Sequence, residues 1–260
     1  MKKIMFWLVL IVGIVVLIGS CKKDDDVTTT TTSCAGSTRY TTISSCSSTA
    51  DGGIAGIDNA THSGTYSAYH VYGISGGYSV DNSTDCIDNS TLLGYLANSI
   101  GYPTGTASYI TNYFVTSSST FGQRYKFFSD SGCSTETASV VFGYDDLSNG
   151  GRASGLDTSK ASNPSAPSTA SKLTYNLSCA KMKGSTAAGV TWIKTFLSGS
   201  DPTVGTEYTC DVGTNARYAL MFVDDSSASA LAHGNIIFFE ESETAVPTDW
   251  DDPDTLRTLQ

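Results

Sequence analysis

Short alternations of apolar and polar residues recur along this chain. Gln123–Ser129 sets Arg124 and Lys126 against Tyr125 and Phe127, one wet face and one dry, as a half-buried strand requires. Thr65–Gly73, Ser108–Thr116 and Thr137–Tyr144 are similarly rich in Tyr, Val, Thr and Phe. With the turn Ser129-Asp130-Ser131-Gly132 between them, the runs from 108 to 144 predict a meander. Further on, Lys172–Ser178, Thr206–Val212, Ala216–Asp224 and Gly234–Glu241 repeat the pattern, the last two as a hairpin over the loop Asp225–His233. About eight strands with turns between them predict a mainly β fold, an antiparallel sandwich or barrel.

Two segments switch to a helical period. Ser90 is placed to cap a helix whose Leu92, Leu93, Leu96 and Ile100 share a face, stopped by Gly101 and Pro103. Ser185 is placed to cap a second, with Val190, Ile193, Phe196 and Leu197 inward. Neither sits in a strand–helix–strand alternation, which argues against a doubly wound fold. Residues 145–171 lack apolar periodicity and are rich in Ser, Gly, Ala and Pro, so they predict a long loop. The expected organisation is one domain over residues 50–245 and an acidic tail over 246–260.

The N-terminus follows a different logic. Met1-Lys2-Lys3 precedes an apolar run, Ile4–Ile18, then Gly19, Ser20 and Cys21. The run is shorter than the roughly 18–20 residues that span a bilayer core, and its flanks are those of a secretory signal peptide. Ile18-Gly19-Ser20-Cys21 resembles the lipobox of bacterial lipoproteins. The resemblance, which covers residues 1–21, implies cleavage before Cys21, diacylation of its thiol and usually acylation of the new N-terminus, a palmitate-type anchor. Two or three acyl chains hold a protein stably in a bilayer where one does not. Residues 21–49, with Lys22-Lys23-Asp24-Asp25-Asp26 and Thr28–Thr32, show no apolar periodicity and predict a solvated tether. Lys22 stands where an Asp resembles an inner-membrane retention signal, which favours the outer membrane. Lysine followed by acids also resembles the surface-export signal of Bacteroidota lipoproteins.

Charge narrows the partners. Removing residues 1–20 takes away Lys2 and Lys3 and no acid, leaving 13 basic against 25 acidic residues, a net of −12. Nucleic acid and anionic membrane faces select basic patches, so neither is expected as a partner of the domain. The expected partners are the lipid bilayer, through Cys21, and a protein, glycan or small ligand.

Six cysteines remain once Cys21 is lipidated: Cys34, Cys46, Cys86, Cys133, Cys179 and Cys210. An even count in an exported protein predicts disulfides, and no C-x-x-C pair favours a redox or zinc motif. Six cysteines allow 15 connectivities. Nearest-neighbour pairing would give Cys34–Cys46, Cys86–Cys133 and Cys179–Cys210.

Candidate chemistry is sparse. Gly73-Ile74-Ser75-Gly76-Gly77 matches G-x-S-x-G, but the nucleophile elbow needs a helix straight after the serine, and Tyr78-Ser79-Val80-Asp81 reads as extended. His62, His70 and His233 lack the i,i+4 spacing of a helical zinc pair. Asp145-Asp146, Asp224-Asp225 and the acids of 249–254 do not match the EF-hand spacing. Tyr66, Tyr69, Tyr72 and Tyr78 cluster, as a sheet face or a binding surface would. No catalytic residue, metal ligand or cofactor is assigned. The expected role is non-enzymatic: binding, adhesion or structure in the cell envelope. The alternatives are an anchored hydrolase and a lipocalin-like carrier, although the G-x-W signature of lipocalins is missing.

Overall fold

The computed structural model describes residues 35–36, 46–47, 49–57, 60–71, 78–79, 85–97, 100–159, 166–197, 201–224, 236–250 and 254–258. The signal segment, Cys21, most of the tether and Cys34 lie outside the described residues.

The strands are β1 (Ala35–Gly36), β2 (Gly53–Ile57), β3 (Ala60–Ser63), β4 (Thr65–Val71), β5 (Tyr78–Ser79), β6 (Ser108–Val115), β7 (Phe121–Phe128), β8 (Glu136–Ser154), β9 (Thr169–Gly184), β10 (Glu207–Asp224), β11 (Ile236–Ser242) and β12 (Asp254–Thr258). Pairing runs β4-β6-β7-β8-β9-β10-β11-β12 and returns to β4, every pair antiparallel. The curled sheet is therefore an eight-stranded barrel in hydrogen-bond terms. Its wall is uneven: β8, β9 and β10 have 19, 16 and 18 residues, whereas β12 has five. The tall half is a ribbon of long strands, and the low half is closed by β12 between β11 and β4. Outside the ring, β1 joins β10, β5 joins β4, and β2–β3 form a separate two-stranded sheet.

Alternation decides which side chains enter the barrel. On β9, Leu173, Tyr175 and Leu177 are buried, while Lys172, Thr174 and Asn176 between them are not. Phe121 and Phe127 on β7, Val140, Phe142 and Tyr144 on β8, and Met221 and Phe239 on β10 and β11 join the same core. Burying such a set removes several hundred Å² of apolar surface from water, at about 25 cal/mol per Å².

Two helices sit at the end of the barrel formed by the start of β6 and the end of β7. In α1 (Ser90–Ala97), the cap is Asn89, whose Oδ1 accepts from the amides of Thr91 and Leu92. In α2 (Ala187–Ile193), the cap is Thr186, which accepts from Gly189 N at 3.1 Å. Each cap thus lies one residue from the expected serine, because Asn and Thr satisfy the first-turn amides equally well. Trp192 of α2 meets Phe127 edge-on at 5.1 Å and donates to Ile100 O. At the opposite end, where β6 stops and β7 starts, the β2–β3 hairpin buries Ile54 and Ile57 against the core.

Several expectations are corrected. The loop expected over 145–171 is in part ribbon: β8 runs to Ser154 and β9 begins at Thr169. Its irregularity comes from register shifts at Asp145/Ser148 and Asn149/Arg152, and most side chains there are exposed, so no apolar period marks it. The two strands expected at 206–212 and 216–224 are one, β10, with an irregularity between Asp211 and Asn215. The tail expected over 246–260 carries fully buried Trp250 and β12. Trp250 packs with Leu156, Ala170, Leu220 and Phe238 on the outer face of the sheet. Its amide and indole N–H donate to the carbonyls of Asp157 and Pro167.

Nearest-neighbour disulfide pairing holds once. Cys86–Cys133 forms, with Cα atoms 5.7 Å apart. Cys46 bonds Cys179, not Cys34, across 133 residues, which also overturns Cys179–Cys210. The reason is the sheet: Cys46 precedes β2 and lies across the middle of β9, which is distant in sequence and adjacent in space. Cys210 is disulfide-bonded to a cysteine outside the described residues.

Candidate functional site

The polar chemistry of the domain gathers inside the barrel. Tyr175 and Arg217 face each other across β9 and β10, and Glu241 and Glu243 come from β11 and its end. Arg217 Nε lies 3.4 Å from Glu241 Oε1, and Nη2 lies 3.1 Å from Glu243 Oε1. Tyr175 donates its hydroxyl to Glu241 Oε2 at 2.6 Å. The Arg217 side chain is 5% exposed and that of Glu241 11%, so both charges are largely withdrawn from water. One guanidinium faces two carboxylates, a local excess of one negative charge.

Burial sets the proton affinities here. It raises Glu241 above the usual carboxylate range, with Tyr175 and Arg217 pulling the other way and Glu243 adding to the rise. Burial, then the Glu241 charge, pushes the phenols of Tyr144 and Tyr175 well above theirs, so both are neutral donors. Around the cluster the rings touch one another. Phe121 lies 4.7 Å from Tyr144 and 4.9 Å from Tyr175, and Tyr113 lies 5.4 Å from Phe239. Below them, Thr111, Gln123 and Tyr125 share the inward register with Tyr113 and Phe121, yet keep partial exposure. Gln123 Nε2 donates to Tyr125 Oη at 2.7 Å.

Such an arrangement orients aromatic faces and neutral hydroxyls around one fixed ion pair. It has no nucleophile with an adjacent base. Ser75 lies outside the described residues, as do His233, Tyr72 and Asp225. His70 pairs through its backbone with Ser79 and Thr255. Tyr69 is in β4 and Tyr78 in β5, while Tyr66 is fully buried in the core. His62 is 1% exposed and meets Tyr66, ring centroids 4.9 Å apart. Asp145 and Asp146 follow the inner stretch of β8, apart from Asp224 at the end of β10. Among the described residues, no three His, Cys, Asp or Glu side chains are grouped to hold a metal. No helix among them is long and apolar enough to cross a membrane.

Sequence reasoning missed the Arg217–Glu241–Glu243 cluster. A signal was present: Arg217 falls in phase with Ala219, Met221 and Val223, and Glu241 in phase with Ile237 and Phe239. A charge on the apolar phase of a strand marks a buried ion pair. No protein-family model matches this chain, and no curated protein matches its sequence.

Proposed function

We propose that this chain is a lipid-anchored cell-envelope protein, held by acylated Cys21 at the outer membrane, whose barrel domain has a non-enzymatic binding, adhesive or structural role. One observation supports that reading above the others. Tyr175, Arg217, Glu241 and Glu243 are engaged with one another inside the barrel, and the aromatic rings around them with their neighbours, which favours contact with a partner at the outer faces and loops. The tether after Cys21 gives such a domain reach. A carrier of a small ligand is the second reading, favoured by the partial exposure of the inward-facing Thr111, Gln123 and Tyr125.

Protease shaving of intact cells tests it, read with an antibody to the domain and a periplasmic protein as control, alongside Cys21→Ala. Loss of the domain from intact cells, and its release from the membrane fraction by Cys21→Ala, is the expected result. Protection until the outer membrane is opened would contradict adhesion and favour envelope assembly or transport.

A further inference from the structure

The β2–β3 hairpin is built as a separate piece. It pairs only with itself, while the strands beneath it belong to the ring. Its inner face presents Ile54, Ile57 and His62, all buried, and Ala55, Gly56 and Ser63 are exposed on the other side. Among the described residues, three polar ties hold it down: Gly52 N to Val115 O, Val115 N to Gly64 O, and Asn149 Nδ2 to Gly56 O. Both ends are articulated. Upstream, the chain is stapled at Cys46 to Cys179; downstream, Gly64 takes φ +83°, a conformation open to glycine, before β4 begins. A two-stranded hairpin is marginal alone, so its seating depends on the face it buries.

His62 is the anomaly in that face. It lies opposite Ile54 across the hairpin, its ring meets Tyr66 of β4, and neither ring nitrogen has a hydrogen-bond partner among the described residues. Neutral imidazole already leaves one donor and one acceptor unsatisfied there. Imidazolium would place a charge and two unmet donors in an apolar seat, which costs far more. Titratable groups on the elements packed against the hairpin are Tyr66, Tyr69 and His70 on β4, Tyr109 and Tyr113 on β6, Glu136, Tyr144, Asp145, Asp146 and Arg152 on β8, and Glu207, Tyr208, Asp211, Arg217, Tyr218 and Asp224 on β10. None of them offsets the burial, which alone lowers the His62 imidazole to about 4.

We propose that the β2–β3 hairpin is an acid-released cap, which swings off the barrel when His62 is protonated and uncovers the Tyr66 end of the interior. The barrel itself stays folded, because its ladder and the Cys86–Cys133 bridge do not pass through the hairpin. The inference holds whether the domain binds through its surface or its interior. The sign follows from linkage. The open hairpin carries an ordinary imidazole, 6.5, and the closed one about 4, so closure is fully favoured above 6.5 and weakens as pH falls toward 4. At pH 5 the open fraction should exceed its value at pH 7.5 about thirty-fold.

Amide hydrogen exchange on the full mature chain in detergent, corrected for intrinsic rates, tests this at pH 7.5 and 5. The expected result is about thirty-fold faster exchange in residues 53–57 and 60–63 at pH 5, unchanged protection in the β8–β9 ladder, and no acid effect in His62→Phe. Unchanged hairpin protection would overturn the proposal. So would loss of the β8–β9 ladder in step with the hairpin, or the same acid response in His62→Phe. Should His62→Phe not fold, the His62 ring is titrated by NMR in the wild-type chain: an apparent value well below 6.5 supports the cap, and a value near 6.5 refutes it.

Discussion

Single residues carry disproportionate weight where charge meets burial. Arg217 is the one cation between two carboxylates, so Arg217→Ala leaves Glu241 and Glu243 facing each other with little solvent. The expected loss is about 3–5 kcal/mol in urea denaturation, while Arg217→Met with Glu241→Gln recovers much of it, because removing the pair costs less than breaking it. Asp130 acts at the surface. Its Oδ1 accepts from the amides of Gly132 and Ser134 and its Oδ2 from Thr135, closing the turn that holds Cys133 at φ +53°. The Ser134 and Thr135 bonds hold its carboxyl down at about 2, against an ordinary 3.8. A depressed carboxylate stabilises the fold above 3.8 and loses that contribution as pH falls through about 2. Asp130→Asn should therefore lower the denaturation midpoint at neutral pH and narrow its difference from wild type below 3.8. These residues were only partly legible beforehand. The turn at 129–132 could be read from its composition, whereas the ion pair needs β10 and β11 in register before it exists.

Among the elements, strands rich in β-forming residues were legible and the pieces that close the barrel were not. β6, β7 and the inner part of β8 emerge from their own runs of β-forming Tyr, Phe, Val and Thr. β2, β3 and β12 are short, and their place depends on partners supplied elsewhere. The outer stretch of β8 is exposed on most residues, so ladder hydrogen bonds alone define it. Helix α2 shows how close the elements approach. A Cβ on Gly189 would fall inside the contact shell of the Thr137 carbonyl oxygen, and one on Gly184 would meet the Val190 amide at 2.6 Å. Both obstacles are backbone, which cannot rotate aside. Gly189→Ala should lift α2 from β8 at a cost of about 1–3 kcal/mol. Differential scanning calorimetry and the fluorescence of Trp192, which seats on Phe127, would register both effects.

Across the whole molecule, the proposed anchor and the stapled barrel answer different needs. A barrel removes open sheet edges, and disulfides between distant segments stabilise a folded domain in an oxidising compartment. Fold class was legible because about eight β-forming runs with turns between them leave few architectures; disulfide partners were not, because bonding follows the folded sheet. Cys46, Cys179, Cys86 and Cys133 are spoken for, and Cys210 is bonded as well. If Cys21 holds lipid, the one thiol left for Cys210 is Cys34. Non-reducing mass spectrometry of the mature protein, extracted from its own membranes, tests anchor and staple together. The account predicts an N-terminal peptide beginning at acylated Cys21 and a cross-linked Cys34–Cys210 peptide. An unacylated Cys21, a chain starting elsewhere, or a Cys21–Cys210 bridge would contradict it.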